Sequence, residues 1–177
     1  MRTEFRLSGS GGQGLLLAGI VLAEAAILEG KNAVQTQSYG PEARGGASKA
    51  EVVVSEDDID YPKAIDPDFL LALTAEAYRT YGKLMGKGLV IVDASVPESS
   101  EVSARTVRVP ILSTAADELG KKVVANIVAL GVLGRVSGAV DLPTLETAVK
   151  NRVPKGTEDL NLKALRRGWE IAAAAAS

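Results

Sequence analysis

The chain has 177 residues, a formal net charge of −2 at neutral pH, and neither cysteine nor histidine. This length is enough for one well-filled domain, and the balanced charge provides no basic surface for nucleic acid. The missing thiols and imidazoles exclude disulfides, cysteine-held zinc or iron–sulfur clusters, and Ser-His-Asp or Cys-His catalysis by this chain. General acid–base catalysis would fall to carboxylates, lysine or tyrosine, and we name no catalytic residue and no metal ligand.

The opening stretch predicts a strand, a glycine-rich turn and a helix in succession. A short apolar run at residues 5–7 precedes the turn, and the nearly all-apolar Leu15–Leu28 follows it. The turn, called the glycine turn below, consists of Gly9, Ser10, Gly11, Gly12, Gln13 and Gly14. Its glycines allow a sharp bend and bring bare N–H groups close to a ligand. The amides that open the following helix favour a phosphate or pyrophosphate there.

The glycine spacing also matches a dinucleotide-binding motif. Gly9, Gly11 and Gly14 fit G-x-G-x-x-G, but an NAD site needs an acidic residue at the end of the second strand. That strand is predicted at Asn32–Ser38 and ends in Gln-Thr-Gln-Ser, whereas Glu29 comes one strand-length too early. A stand-alone NAD(P)-binding oxidoreductase is thus an alternative, but the sequence lacks the acidic residue that would hold the ribose of the dinucleotide. Close helix–strand packing explains Gly14 equally well.

The remaining chain alternates between strands and helices and then becomes helical. Strands are predicted at 48–54, 69–74, 89–93 and 106–111, with a crossover helix at 75–85. Further helices are predicted at 115–136, 142–152 and 159–175, the first capped by Ser113 or Thr114. We expect an α/β fold, with a mainly parallel Rossmann-like sheet, helices on both faces and a helical C-terminal third. Residues 1–177 would form a single domain, with the α/β core at about 1–112 and the helical part at about 113–177.

Two of these helices have almost no polar residues. Leu15–Leu28 contains Glu24 as its single charged residue, and the stretch 123–133 contains Asn126 as its single polar one. A helix that is apolar all round is buried on more than one side. Either a partner subunit covers part of each helix, which includes the possibility of homodimer contacts, or each lies between the sheet and the C-terminal helices. Asn126 must find hydrogen-bond partners in either case.

The sequence contains no sign of a membrane or targeting segment. Leu15–Leu28 is too short to span a bilayer and carries a charge. Arg2, Glu4 and Arg6 interrupt any apolar leader at the beginning of the sequence. We expect a cytoplasmic protein.

A second loop follows the predicted strand at Asn32–Ser38, and we call residues 39–46 the arginine loop. Its candidate site residues are Tyr39, Glu42, Arg44, Gly45 and Gly46. The carboxyl end of a parallel strand is where open α/β sheets bind ligands. Arg44 can hold a phosphate or carboxylate through two hydrogen bonds, while Tyr39 and Glu42 shape the loop. The alternative is a surface pair between Arg44 and Glu42 that contributes little.

Three stretches together carry a family resemblance. They read Gly-Ser-Gly-Gly-Gln-Gly at 9–14, Ser-Tyr-Gly-Pro-Glu-Ala-Arg-Gly-Gly at 38–46 and Val-Ala-Asn-Ile-Val-Ala-Leu-Gly at 124–131. The chain resembles the gamma subunit of 2-oxoacid:ferredoxin oxidoreductases from its first strand to about residue 152. The Pro-Glu…Arg-Gly-Gly loop is similar to the 2-oxoglutarate type rather than the pyruvate type. Many relatives continue with Thr-Ala-Asn-Cys, where this chain has Ala-Ser-Lys-Ala at 47–50.

The resemblance implies a non-autonomous subunit that is inactive in isolation and holds no cofactor alone. Alpha and beta subunits would hold thiamine diphosphate, with iron–sulfur clusters in the beta subunit and a ferredoxin-like delta subunit. The complex would oxidatively decarboxylate a 2-oxoacid, pass two electrons to ferredoxin and transfer the acyl group to coenzyme A. This chain would assist assembly and contact coenzyme A or the active centre through the glycine turn and the arginine loop. A purely structural interaction subunit, whose turn serves only packing, is the remaining alternative.

Overall fold

The computed structural model describes residues 1–38 and 47–175. Its strands are β1 (Arg2–Gly9), β2 (Asn32–Ser38), β3 (Ser48–Ser55), β4 (Phe69–Ala72), β5 (Leu89–Asp93) and β6 (Thr106–Val109). Its α-helices are α1 (Leu15–Leu28), α2 (Ala75–Gly82), α3 (Ile111–Ser113), α4 (Ala125–Ser137), α5 (Leu142–Arg152) and α6 (Glu158–Ala175). A π-helical turn at Thr114–Glu118 continues α3, and a 3₁₀ turn at Lys122–Val124 precedes α4.

The strands of the described chain form one sheet in the order β2-β3-β1-β4-β5-β6. Strands β1, β4, β5 and β6 pair in parallel, while β3 runs antiparallel to both of its neighbours, β1 and β2. The expected α/β fold with a mainly parallel sheet is confirmed. Because the side chains of a strand alternate between its faces, Phe5 and Leu7 of β1 join the core on one face, together with α1, α4, α5 and α6. Helix α2 covers the other face, where Leu70 and Val90 are buried.

Most of each apolar helix is buried by other parts of this chain. Helix α4 is buried from Ala125 to Gly134, and it packs against α6, α5, α1 and the sheet. Helix α1 lies between the sheet and α5, and its more exposed end comprises Ile27 (56%) and Leu28 (52%). The structure therefore supports packing within the chain as the reason for the apolar helices. None of the helices in the described residues combines the length and apolar character needed to cross a membrane.

The continuous helix predicted at 115–136 is wrong, because the chain bends at Gly120. Gly120 has a φ of +68°, in the left-handed region that commonly ends a helix. Before it, the N–H of Leu119 donates to the carbonyl of Thr114 in the π-helical turn. The predicted cap is also wrong, because helix formation already begins at Ile111. Ser113 makes no capping bond, and the Thr114 hydroxyl donates instead to the Pro110 carbonyl at 2.6 Å.

Glu29 connects the end of α1 to the beginning of α5. Its Oε1 accepts the N–H of Asp141 at 2.7 Å, and its Oε2 pairs with the Lys31 ammonium at 3.1 Å. Partial burial by itself would raise the pKa of Glu29, but the Asp141 amide and Lys31 outweigh it and lower the pKa. The ionised carboxylate therefore stabilises the fold above the ordinary glutamate pKa of about 4.3, and this stability is lost as the pH falls through the lower folded pKa.

We expect Glu29→Gln to reduce the free energy of unfolding at pH 7 by less than about 1 kcal/mol, because the interaction is partly solvated. The difference from the parent chain should be smaller at pH 3, because the carboxyl becomes increasingly protonated in both states as the pH falls. Urea denaturation at the two pH values measures this. Glu101→Gln, at an exposed position, serves as the control and should show no such trend. An equal loss at both pH values would contradict the assignment.

Candidate functional site

The glycine turn lies at the carboxyl ends of the parallel strands. The side chain of its own residue Gln13 folds back and hydrogen-bonds within the turn. The carboxamide oxygen of Gln13 accepts the N–H of Ser10 at 2.8 Å. A Cβ on Gly9 would stand 2.1 Å from that oxygen, so Gly9 makes room for Gln13. Gly12 and Gly14 have φ values of +84° and +72°, which other residues rarely adopt. Backbone geometry and packing thus account for these three glycines.

Gly11 is different, because neither cause applies to it. Its φ is not in the left-handed region, and a Cβ built on it would meet no atom of residues 1–38 or 47–175 within 4 Å. Packing within the described residues therefore leaves the glycine at this position unexplained. Close approach of a ligand or of another polypeptide is a physical reason to keep a position free of a side chain.

Packing helps to account for Gly14, but its neighbour is a side chain of helix α4 and not the strand that the packing alternative expected. A Cβ on Gly14 would lie 2.6 Å from Nδ2 of Asn126, a residue of α4. The Asn126 Nδ2 donates to the Gly14 carbonyl at 3.1 Å, and its Oδ1 accepts the N–H of Ile127 at 3.0 Å. The expected hydrogen-bond partners of Asn126 are therefore present. One of them belongs to the glycine turn.

A cavity of about 550 Å³ opens beside the glycine turn. Its lining comes from the turn, α3 and its π-helical continuation, the 3₁₀ turn and the start of α4: Gly12, Gln13, Leu112, Ala116, Lys122, Val123 and Ala125. Small-molecule sites commonly occupy about 300–1,000 Å³ and combine apolar walls with a few polar groups. Here Lys122 supplies a positive charge, and the side chain of Val123 is 77% exposed at the rim. The sequence analysis missed Lys122, whose position between a helix-breaking glycine and an apolar helix was the available signal.

Asp93 holds one wall of this cavity in place. The residue is buried at the end of β5, and its Oδ1 accepts the N–H of Leu112 at 2.8 Å. Its Oδ2 accepts the N–H of Ser95 at 2.9 Å and also the Ser95 hydroxyl. Because these donors occupy both oxygens, Asp93 fixes the position of Leu112.

The arginine loop, with its candidate residues Tyr39, Glu42, Arg44, Gly45 and Gly46, lies outside the described residues. The residues that flank it are described, and they lie beside the glycine turn. Ser38 pairs with Lys49 across β2 and β3, and Ser48 pairs with Gly9 across β3 and β1. The Ser48 hydroxyl donates to the Gly9 carbonyl at 3.1 Å. The described residues on either side of the arginine loop therefore lie at the same end of the sheet as the glycine turn.

A sequence model of the pyruvate ferredoxin/flavodoxin oxidoreductase family matches residues 4–171. The chain belongs to this family. It is 49% identical over 177 residues to the 2-oxoglutarate synthase subunit KorC of Methanocaldococcus jannaschii, covering 97% of this chain and 95% of the relative. It is 48% identical over 180 residues to the KorC subunit of Methanothermobacter marburgensis, covering 97% of each.

Solved structures of oxidoreductases in this class have the same fold. The gamma subunit of the keto/oxoacid ferredoxin oxidoreductase of Geobacter sulfurreducens matches with a TM-score of 0.89 and 45% identity, over 99% of this chain and 98% of the other. A 2-oxoglutarate:ferredoxin oxidoreductase from Magnetococcus marinus, with 2-oxoglutarate, coenzyme A and succinyl-CoA bound, matches with a TM-score of 0.86. At 21% identity, and with 31% of that longer chain covered, this second match shows the fold alone. The chain is therefore a gamma-type, non-autonomous subunit of a 2-oxoacid:ferredoxin oxidoreductase, as the resemblance predicted.

The strand order of this family member disfavours the NAD(P) alternative. In a dinucleotide-binding unit, the second strand lies beside the first and brings its terminal acid to the ribose. Here β3 separates β1 from β2, and β2 ends in Ser38. Glu29 is also engaged elsewhere, with Asp141 and Lys31. Micromolar binding of NADH by the purified chain would contradict this conclusion.

Proposed function

We propose that this gamma subunit assists assembly of a cytoplasmic 2-oxoacid:ferredoxin oxidoreductase and contributes contacts to coenzyme A at the active centre. The KorC relatives support 2-oxoglutarate as the substrate type. The Magnetococcus enzyme contains coenzyme A and succinyl-CoA, which supports coenzyme A as the acyl acceptor here. In the proposed complex, alpha and beta subunits hold thiamine diphosphate, and the beta and ferredoxin-like delta subunits hold the iron–sulfur clusters.

The cavity beside the glycine turn is the observation that carries the proposal. Coenzyme A joins an anionic pyrophosphate to a long, partly apolar arm. The cavity offers matching chemistry, because Lys122 carries a positive charge while Leu112 and Ala116 are apolar. The glycine turn, which also contributes to the lining, leads directly into the N-terminus of α1, and a helix N-terminus favours an anion. Gly11 leaves space for a close approach. Arg44 would add a second cation, because the residues that flank its loop lie at the same end of the sheet as the glycine turn.

Two substitutions in the assembled complex test the proposal. Gly11→Val adds a side chain whose Cβ would meet no atom of the described residues within 4 Å, and Arg44→Glu reverses a charge. We expect each to raise the apparent KM for coenzyme A by roughly tenfold or more, equivalent to about 1.4 kcal/mol of binding, with little change in kcat. Steady-state kinetics at varied coenzyme A concentration, with a fixed excess of 2-oxoglutarate and ferredoxin, measures the effect.

Two control substitutions distinguish the loss of coenzyme A contacts from structural damage and from a non-specific effect of charge. Gly19→Ala introduces a side chain with ordinary contacts at 3.5–3.7 Å in α1, and Lys63→Glu reverses an exposed charge next to the beginning of β1, at the opposite sheet edge. Both should leave the KM for coenzyme A unchanged. An unchanged KM for Gly11→Val and Arg44→Glu, in complexes that still co-purify, would retire the coenzyme A role. Loss of co-purification in Gly11→Val would instead favour the interaction-subunit alternative.

A further inference from the structure

We propose that Asn126 is a positioning residue that holds the glycine turn in its conformation from helix α4. Asn126 is 6% exposed, so bulk water does not compete for the hydrogen bonds of its carboxamide. Its Nδ2 donates to the Gly14 carbonyl, which belongs to a residue 112 positions earlier in the sequence. This inference rests on the proposed function only for the identity of the ligand, coenzyme A. The positioning itself rests on the geometry of the described residues.

The carbonyl that Asn126 contacts is the one that starts α1. Gly14 is the N-cap of α1, and its carbonyl also accepts the N–H of Ala18 at 3.2 Å in the first helical hydrogen bond. No side chain of the cap residue itself supplies a bond there, because Gly14 has none. Asn126 therefore fixes the point at which the turn becomes a helix. Gln13 fixes the other end of the turn through Ser10.

The same side chain is fixed at its own end by α4. Its Oδ1 accepts the N–H of Ile127, an amide in the first turn of α4 that has no acceptor within the helix. The preceding residue, Ala125, lines the cavity together with Gly12 and Gln13. Asn126 thus connects two walls of the cavity. A displacement of α4 would be transmitted to the amides of the glycine turn.

Two substitutions separate positioning from simple stabilisation. Asn126→Asp keeps the size and the acceptor for Ile127, and a carboxylate is favourable at a helix N-terminus, but the ionised group has no donor for Gly14. Asn126→Ala is uncharged and loses both bonds. We expect amide hydrogen exchange in residues 10–18 of the assembled complex, without coenzyme A, to accelerate by about tenfold or more in both variants. The neutral Asn126→Ala should also raise the KM for coenzyme A more than it changes kcat.

Asn161 provides a matched control. It is a buried asparagine in α6 whose Nδ2 donates to the Thr157 carbonyl at 2.9 Å. Asn161→Ala should cost stability while leaving exchange at residues 10–18 unchanged. Exchange that stays slow in Asn126→Asp, or that accelerates equally in Asn161→Ala, would overturn the positioning role. Faster exchange with an unchanged KM in Asn126→Ala would support positioning and contradict the coenzyme A function of the turn.

Discussion

Gly168→Ala and Gly131→Ala are each expected to lower the free energy of unfolding by about 2–4 kcal/mol, through overpacking between α4 and α6. A Cβ on Gly168 would stand 2.0 Å from the carbonyl oxygen of Val128, and one on Gly131 would stand 2.2 Å from that of Leu165. Both obstacles are backbone atoms of a facing helix. Relief therefore requires the two helices to move apart, and α4 is buried along most of its length.

Gly19→Ala is the matched control, because Gly19 also lies within a helix. Its Cβ would make ordinary contacts at 3.5–3.7 Å with side chains of the sheet. Alanine is the better helix former by about 1 kcal/mol, so Gly19→Ala should be neutral or stabilising. Urea denaturation followed by circular dichroism compares the three variants. If Gly168→Ala and Gly131→Ala were as stable as Gly19→Ala, the close approach of α4 and α6 would be wrong.

Glu51→Gln is expected to cost about 3 kcal/mol or more, because it leaves a buried guanidinium without its counter-charge. Arg6 and Glu51 are 9% and 3% exposed, and their side chains pair across β1 and β3 at 3.4 Å. The Arg6 guanidinium also lies 5.4 Å from the centre of the Tyr81 ring. Glu51 also accepts the N–H of the buried Ala64 at 3.0 Å and pairs with the partly exposed Lys49 at 2.9 Å, so one carboxylate has several partners.

The pair between Glu118 and Arg167 provides a contrast in burial. It has shorter contacts, at 2.7 and 3.2 Å, but both side chains are solvent-exposed. Glu118→Gln should therefore destabilise the chain far less than Glu51→Gln, because exposed pairs contribute little. Adding Arg6→Met to Glu51→Gln should recover part of the loss by removing the uncompensated charge. Equal effects of Glu51→Gln and Glu118→Gln in chemical denaturation would contradict this view of the buried pair.

Local signals were sufficient for most of the elements. The apolar, proline-free run after the glycine turn predicted Leu15–Leu28 with the observed bounds, and the short apolar run before Ala94 predicted Leu89–Asp93 in the same way. The continuous helix at 115–136 was wrong because the left-handed conformation of Gly120 outweighed the helical pattern around it. The glycine turn was identified, but its filling by Gln13 and the contribution of Lys122 to a cavity were not.

The sequence by itself determined the α/β class, the absence of thiol and imidazole chemistry, and, through three motifs, the resemblance to the gamma subunit. Tertiary structure alone decided that β3 lies between β1 and β2, that Gly131 and Gly168 allow two helices to touch, and that Asn126 reaches Gly14. The physical reason is one of range. Periodicity and turn propensity act between residues a few positions apart, whereas these contacts depend on which faces meet once the whole core has packed.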